Sequence, residues 1–174
     1  MVIDTTRDSI LSAAARLFSR FGFHKTSMDE IAKIARKAKG SIYYHFASKE
    51  ELFKAVVSIE MANLKSQLSI IINDSDFSAA LKIKNYLIKR MEIINTAANY
   101  HEILRADFFE HFNFIDDVRT ELDNWEKENL KKIIVQGVES GEFSNPVDID
   151  ILIDMVIMTL KGFEIPFFLQ RKYG

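Results

Sequence analysis

Between residues 39 and 49 the chain concentrates groups that can hold a polyanion. Lys39 and Lys49 supply ammonium charge, Ser41, Tyr43 and Tyr44 supply hydroxyls, His45 supplies a ring donor, and Gly40 lets the backbone come close to whatever it faces. Phosphate oxygens and base edges ask for such donors on one short element. A second constellation, His101, Asp107, Glu110 and His111, has helical spacing compatible with a metal. It matches none of the tighter zinc motifs, because His101-Glu102 lacks the second histidine of His-Glu-x-x-His, so surface ion pairs are the expectation and no metal is assigned. There is no nucleophile elbow, no phosphate-binding glycine loop and no cysteine, and the chain reads as a non-enzyme without cofactor.

The elements that must position the first set are two short helices. Thr26 and Ser27 offer N-cap oxygens, Glu30 stands at the capping-box position, and Met28, Ile31, Ala32 and Ala35 form a short apolar face. This predicts a helix ending near Arg36, a tight link, and a second helix over 39–46 with Ile42 and Phe46 inward at i, i+4. A scaffold helix over 6–21 precedes the pair, with Ile10, Ala14, Leu17, Phe18 and Phe21 on one stripe and Gly22 as its stop. Ser48 and Glu51 open a longer helix toward Ile72. Two short helices joined by a tight turn over residues 26–46, the second polar and aromatic outside, make a helix-turn-helix.

The segments Thr26-Ser27-Met28-Asp29-Glu30-Ile31-Ala32 and Lys39-Gly40-Ser41-Ile42-Tyr43-Tyr44-His45-Phe46-Ala47-Ser48-Lys49-Glu50-Glu51-Leu52 resemble the signature of the TetR family, as does the first helix around Ile10 to Phe18. The resemblance spans about residues 7–55. It implies phosphate contacts at Ser27, Tyr43 and Lys49, and base-reading or near-base positions at Lys39, Gly40, Ser41, Tyr44 and His45. It further implies a two-fold homodimer on a palindromic operator of double-stranded DNA, released by a small effector. The turn departs from the family pattern. Arg36 stands where a glycine is usual and is expected to take a left-handed conformation, Lys37 replaces a residue packed between the helices, and Ala38 forfeits an N-cap. A looser turn is therefore expected, with the two added cations reaching phosphates.

Residues 1–55 carry ten lysines and arginines against six acids, a net +4, which leaves −6 for the rest of the 174-residue chain. A basic head on an acidic body suits a module that approaches a polyanion. Few glycines and prolines and no strand-like alternation make the chain all-α, a three-helix head at 1–47 on a larger helical body at 48–174. Helices are expected over 77–98, 100–111, 115–140 (closed by Gly141) and 146–164 (closed by Pro166). The helix from 48 to 72 serves as the lever between head and body.

The body is rich in aromatics and methionines. Met91, Leu104, Phe108, Phe112, Trp125, Met155 and Met158 are the candidate lining of a pocket for an apolar or amphipathic effector, an assignment resting mainly on the resemblance. Arg90 and Arg105 are expected to be exposed, with a carboxylate-binding role as the alternative. Ile149, Leu152, Ile153, Val156, Ile157 and Leu160 form a run broader than one buried stripe needs and are the candidate dimer interface. The longest apolar stretch is broken by Asp154 and Lys161, and no basic-apolar leader opens the chain, so a cytoplasmic regulator without membrane contact is expected. A helical enzyme or ligand carrier and a protein–protein adaptor are the competing classes.

Overall fold

A computed structural model describes residues 5–109, 113–144 and 148–170, with side chains described for all but 106–109 and 113. The described residues are helical with no strand: α1 (Thr5–Phe21), α2 (Met28–Ala35), α3 (Lys39–His45), α4 (Lys49–Ile72), α5 (Ala79–Thr96), α6 (Ala98–Phe109), a 3-10 turn (Asn113–Ile115), α7 (Asp116–Glu139), α8 (Ile149–Glu164) and a π-turn (Ile165–Leu169). Two compact units divide the chain. Unit 1 takes residues 1–60 and 98–115, and unit 2 takes 61–97 and 116–174. The first half of α4 and the whole of α6 thus pack with the helix pair, although the sequence boundary at 47/48 would give them to the body.

In unit 1, α1 packs on α2, α3 and α6 around Ile10, Ala14, Phe18, Ile31, Ile42, Phe46, Leu52 and Phe53, all fully or almost fully buried. Phe53 sits edge-on to Phe18 with centroids 5.1 Å apart, and Phe23 lies 5.5 Å from Phe114. Such ring pairs hold the loop after α1 and the turn after α6 on one aromatic cluster. Gly22, at φ 82°, ends α1 as its sequence position requires. A carboxylate from α4 secures α6, since Glu60 accepts bonds from the backbone N–H groups of Asn99 (3.2 Å) and Tyr100 (2.8 Å) and from the Asn99 side-chain amide (2.8 Å). It replaces the N-cap that the α6 sequence does not supply.

In unit 2, α5 packs on α7, and α7 on α8. The α5–α7 seam is polar. Arg90 is 1% exposed, not a surface cation as its residue type suggests, because Glu126 from α7 accepts from its Nε (2.7 Å) and Nη2 (3.1 Å) while Glu164 at the end of α8 accepts from Nη2 at 2.8 Å. Tyr86 also donates to Glu126, at 2.7 Å, and its phenol pKa is raised by burial and then by the Glu126 charge. Lys82, one turn earlier, donates to Gln136 at 2.9 Å. Pairing of this kind is what makes buried charge tolerable. Arg105 does stay largely exposed, beside Glu102.

Pro166 does not end the chain's helical path. The backbone widens into the π-turn, closed by Gln170 N–H donating to Ile165 O at 3.1 Å, and the wider ring accommodates a residue without an N–H. α4 is long and apolar enough to cross a membrane by length and composition. Several of its apolar residues serve the two cores, with Leu52, Phe53, Val56 and Val57 buried in unit 1 and Leu64, Leu68 and Ile72 in unit 2, while Ile59 and Ile70 are exposed.

Candidate nucleic-acid interface

Ser27 opens α2 as expected. Its hydroxyl accepts from Glu30 N–H (3.2 Å) and donates to the Glu30 carboxylate (2.8 Å), which also accepts the Ser27 backbone N–H (2.9 Å). That capping box holds the Glu30 carboxyl below the ordinary range, through the Ser27 hydroxyl first and its backbone N–H second. Ser48 and Glu51 close the start of α4 in a related way, Ser48 accepting from Glu51 N–H while Glu51 accepts from Ala47 N–H, one residue before the cap. Ile42 and Phe46 are buried, so the base of α3 is fixed and its other face is turned outward.

The turn between the helices is ordered by backbone bonds. Arg36 lies at φ 55°, ψ 43°, the left-handed conformation predicted for it, with its N–H donating to Lys33 O while Lys37 N–H donates to Ala32 O at 3.0 Å. This is a Schellman closure, built without the glycine that would make it unstrained. Lys37 is half-buried and donates to the Thr6 hydroxyl of α1 at 3.3 Å, so the substituted position ties the turn to the scaffold helix. Ala38 gives α3 no side-chain cap, as expected. The turn is thus not loose in its backbone. What the substitutions change is strain and charge.

On the outer face of α3, Tyr44 is 85% exposed and Tyr43 45%, while Ser41 and His45 are half-buried and the Tyr44 and His45 rings meet edge-on. Gly40 is exposed, and a Cβ built there would meet nothing within 4 Å, so no contact among the described residues calls for glycine. Lys39 bonds Asp29 of α2 at 2.7 Å, and that carboxylate raises the lysine's pKa, keeping it charged. Asp29 is a partner that sequence spacing does not announce, since it lies ten residues away across the turn. Lys49 is less available than its residue type implies. Its ammonium donates to Phe23 O (3.0 Å) and Thr26 O (3.2 Å) and sits 4.3 Å above the Phe23 ring, leaving one of three N–H donors for an external group.

The remaining candidates scatter. Met91 lines a groove of about 570 Å³ in unit 2, with Leu87, Ile88, Glu92, Asn95, Phe167 and Phe168. Leu104 is buried in unit 1, Trp125 is half-buried on α7, and the Phe108 and Phe112 side chains lie outside the described residues. Met155 and Met158 are not interior lining, being 61% and 73% exposed on the outer side of α8. Three of the six dimer candidates on the same helix turn inward. Ile153, Ile157 and Leu160 are buried on the side of α8 that packs on α7, and Ile149, Leu152 and Val156 are half-buried, whereas Ile151, Met155, Met158 and Phe163 are exposed. Both stripes of α8 are apolar, so periodicity alone could not tell inner from outer. No group of three or more metal-ligating side chains exists among the described residues; the Asp107, Glu110 and His111 side chains lie outside them.

A model of the tetR family of bacterial regulatory proteins matches residues 10–56. The regulator RutR of Escherichia coli O157:H7 is 31% identical over 163 residues, 88% of this chain and 71% of that protein, and QacR of Staphylococcus aureus strain Mu50 is 28% identical over 142 residues, covering 79% and 73%. Among solved structures, the transcriptional regulator FadR of Bacillus subtilis in complex with stearoyl-CoA aligns with a TM-score of 0.78 at 19% identity, over 96% of this chain and 89% of that one.

Proposed function

This chain belongs to the TetR family of bacterial regulatory proteins, a family of ligand-responsive helix-turn-helix regulators, and from that premise we propose how it works. It is a homodimeric repressor whose two α3 helices enter successive major grooves of a palindromic operator, about 34–36 Å apart, and leave when a small apolar or amphipathic effector binds the body. The domain division is functional, with residues 1–47 reading DNA and residues 48–174 sensing and pairing. The observation that carries this is the outward face of α3. Lys39, Gly40, Ser41, Tyr43, Tyr44 and His45 stand on a helix locked from beneath by Ile42 and Phe46, and no contact among the described residues requires the glycine. A close phosphate or base edge supplies that reason.

Tyr43 and the remaining Lys49 donor hold phosphates, and Lys39 exchanges Asp29 for DNA. Ser27 can do the same only by turning its hydroxyl away from Glu30. For pairing, the exposed stripe of Ile151, Met155, Met158 and Phe163 meets its symmetry mate. For sensing, the apolar groove beside Met91 takes the effector, and its size falls within the range of drug-sized sites. A long acyl chain, like that of the stearoyl-CoA bound by the B. subtilis neighbour, is one ligand of that class. α4, one helix of 24 residues, carries the displacement from body to head.

The test is selection of bound duplexes from a random pool, followed by salt titrations on the recovered site. A palindrome with half-sites one turn apart is expected. Tyr43→Phe should weaken every sequence alike, while Tyr44→Phe and Ser41→Ala should change sequence preference. Recovery of no consensus, or variants that bind as the parent does, overturns the assignment.

A further inference from the structure

Within unit 1 a furrow of about 310 Å³ runs between α1 and α4, and the DNA-reading surface does not use it. Leu11, Ser12 and Ala15 line it from α1, and Val56 and Ile59 from α4, with Asp8 and Glu60 as its two carboxylates. Leu11 and Val56 are buried and form the floor, while Ile59 is about half exposed and forms a wall. The space is open because Ser12 and Ala15 are too short to reach across it. Its lining is mostly apolar, which disfavours a strongly hydrated ion. Its two ionisable side chains are both carboxylates, which disfavours anions.

From this charge and shape we infer that the furrow binds a compact organic ammonium, a primary amine on an apolar body. The carboxylate of Glu60 is already bonded at Oε1 to Asn99 N–H and Nδ2 and at Oε2 to Tyr100 N–H, so Oε2 keeps an accepting position for one more donor. An ammonium offers three N–H donors, where a quaternary ion offers none and an alcohol one. Asp8 supplies the second negative charge of the furrow, and Leu11, Ala15, Val56 and Ile59 receive the apolar body. Because Glu60 is also the carboxylate that secures the start of α6, a ligand there joins α1, α4 and α6 within unit 1. This site is separate from the effector groove of unit 2 and does not rest on that assignment.

The probe is 2-phenylethylamine, titrated into the whole chain with methyl resonances of Leu11, Ala15, Val56 and Ile59 followed by NMR. Saturable shifts at these methyls with a Kd on the order of 1 mM are expected for so small a ligand, with binding at least tenfold weaker for 2-phenylethanol and for 3-phenylpropionate. Ser12→Phe, which fills the furrow, should abolish the shifts. Asp8→Asn, at an exposed position, should weaken them severalfold without affecting folding and decides the matter if the larger substitution unfolds the head. Equal binding of amine and alcohol, unchanged binding by Asp8→Asn, or shifts confined to Ile88 and Met91 of the unit 2 groove would each overturn the inference. The last result would leave the effector assignment standing.

Discussion

Replacing Arg36 with glycine separates what its backbone costs from what its charge contributes. Arg36 is an exposed residue held at φ 55°, ψ 43°, and its N–H closes onto Lys33 O while the next residue closes onto Ala32 O. A left-handed conformation costs a β-carbon-bearing residue about 1–2 kcal/mol, and glycine relieves that while adding roughly 0.5–1 kcal/mol of freedom to the unfolded chain. The net is a stabilisation of roughly 0.5–1 kcal/mol, or a Tm rise of about 1–4 °C for a chain of this length. Arg36→Ala keeps the strain and removes the charge, so it should show no such rise. The assay is thermal unfolding by circular dichroism at two salt concentrations, followed by salt titration of DNA binding. If Arg36 meets a phosphate, both variants lose about one from the slope of log K against log salt, and only the glycine variant gains stability. A glycine variant less stable than the parent, or an alanine variant equally stabilised, refutes the account of the turn.

Lys49→Ala should lower stability by about 1–2 kcal/mol even without DNA, because it removes two bonds to the carbonyls of Phe23 and Thr26 and the ring contact, and chemical denaturation measures this directly. On α8, sedimentation should find Met158→Lys monomeric yet folded, whereas Ile157→Lys should unfold unit 2 as seen by circular dichroism, because only the second side chain is buried. Glu30 and Glu142 both have pKa values lowered from 4.5, Glu30 through the Ser27 hydroxyl and N–H, Glu142 through the N–H groups of Ala80 and Ala79. Carboxylates lowered in this way stabilise the fold fully above their unfolded pKa and lose that contribution as pH falls through the lower folded values. Stability should therefore drop below about pH 4.5, and the drop should be shallower in Glu30→Gln and Glu142→Gln when unfolding is followed across pH 2–7.

The helix-turn-helix was legible in the sequence because each of its determinants is local. Ser27 with Glu30, Ser48 with Glu51, Gly22 after Phe21, and Ile42 with Phe46 all act within four residues, so spacing alone specifies them. The left-handed Arg36 was anticipated through the family resemblance, because it stands where a glycine is usual. Pairings across long stretches of chain were not legible. Arg90 is drawn inside by Glu126 and Glu164, 36 and 74 residues away, and no local pattern distinguishes it from an exposed arginine. The two faces of α8 are equally apolar, so whether Ile157 or Met158 points inward depends on where α7 packs. The membership of α6 in unit 1 follows from Glu60 and Phe114 reaching elements far along the chain. Local hydrogen bonding and short-period patterning determined the reading unit from sequence alone. Long-range burial, which rewards a side chain only when its partner's position is already set, was decided by the tertiary structure.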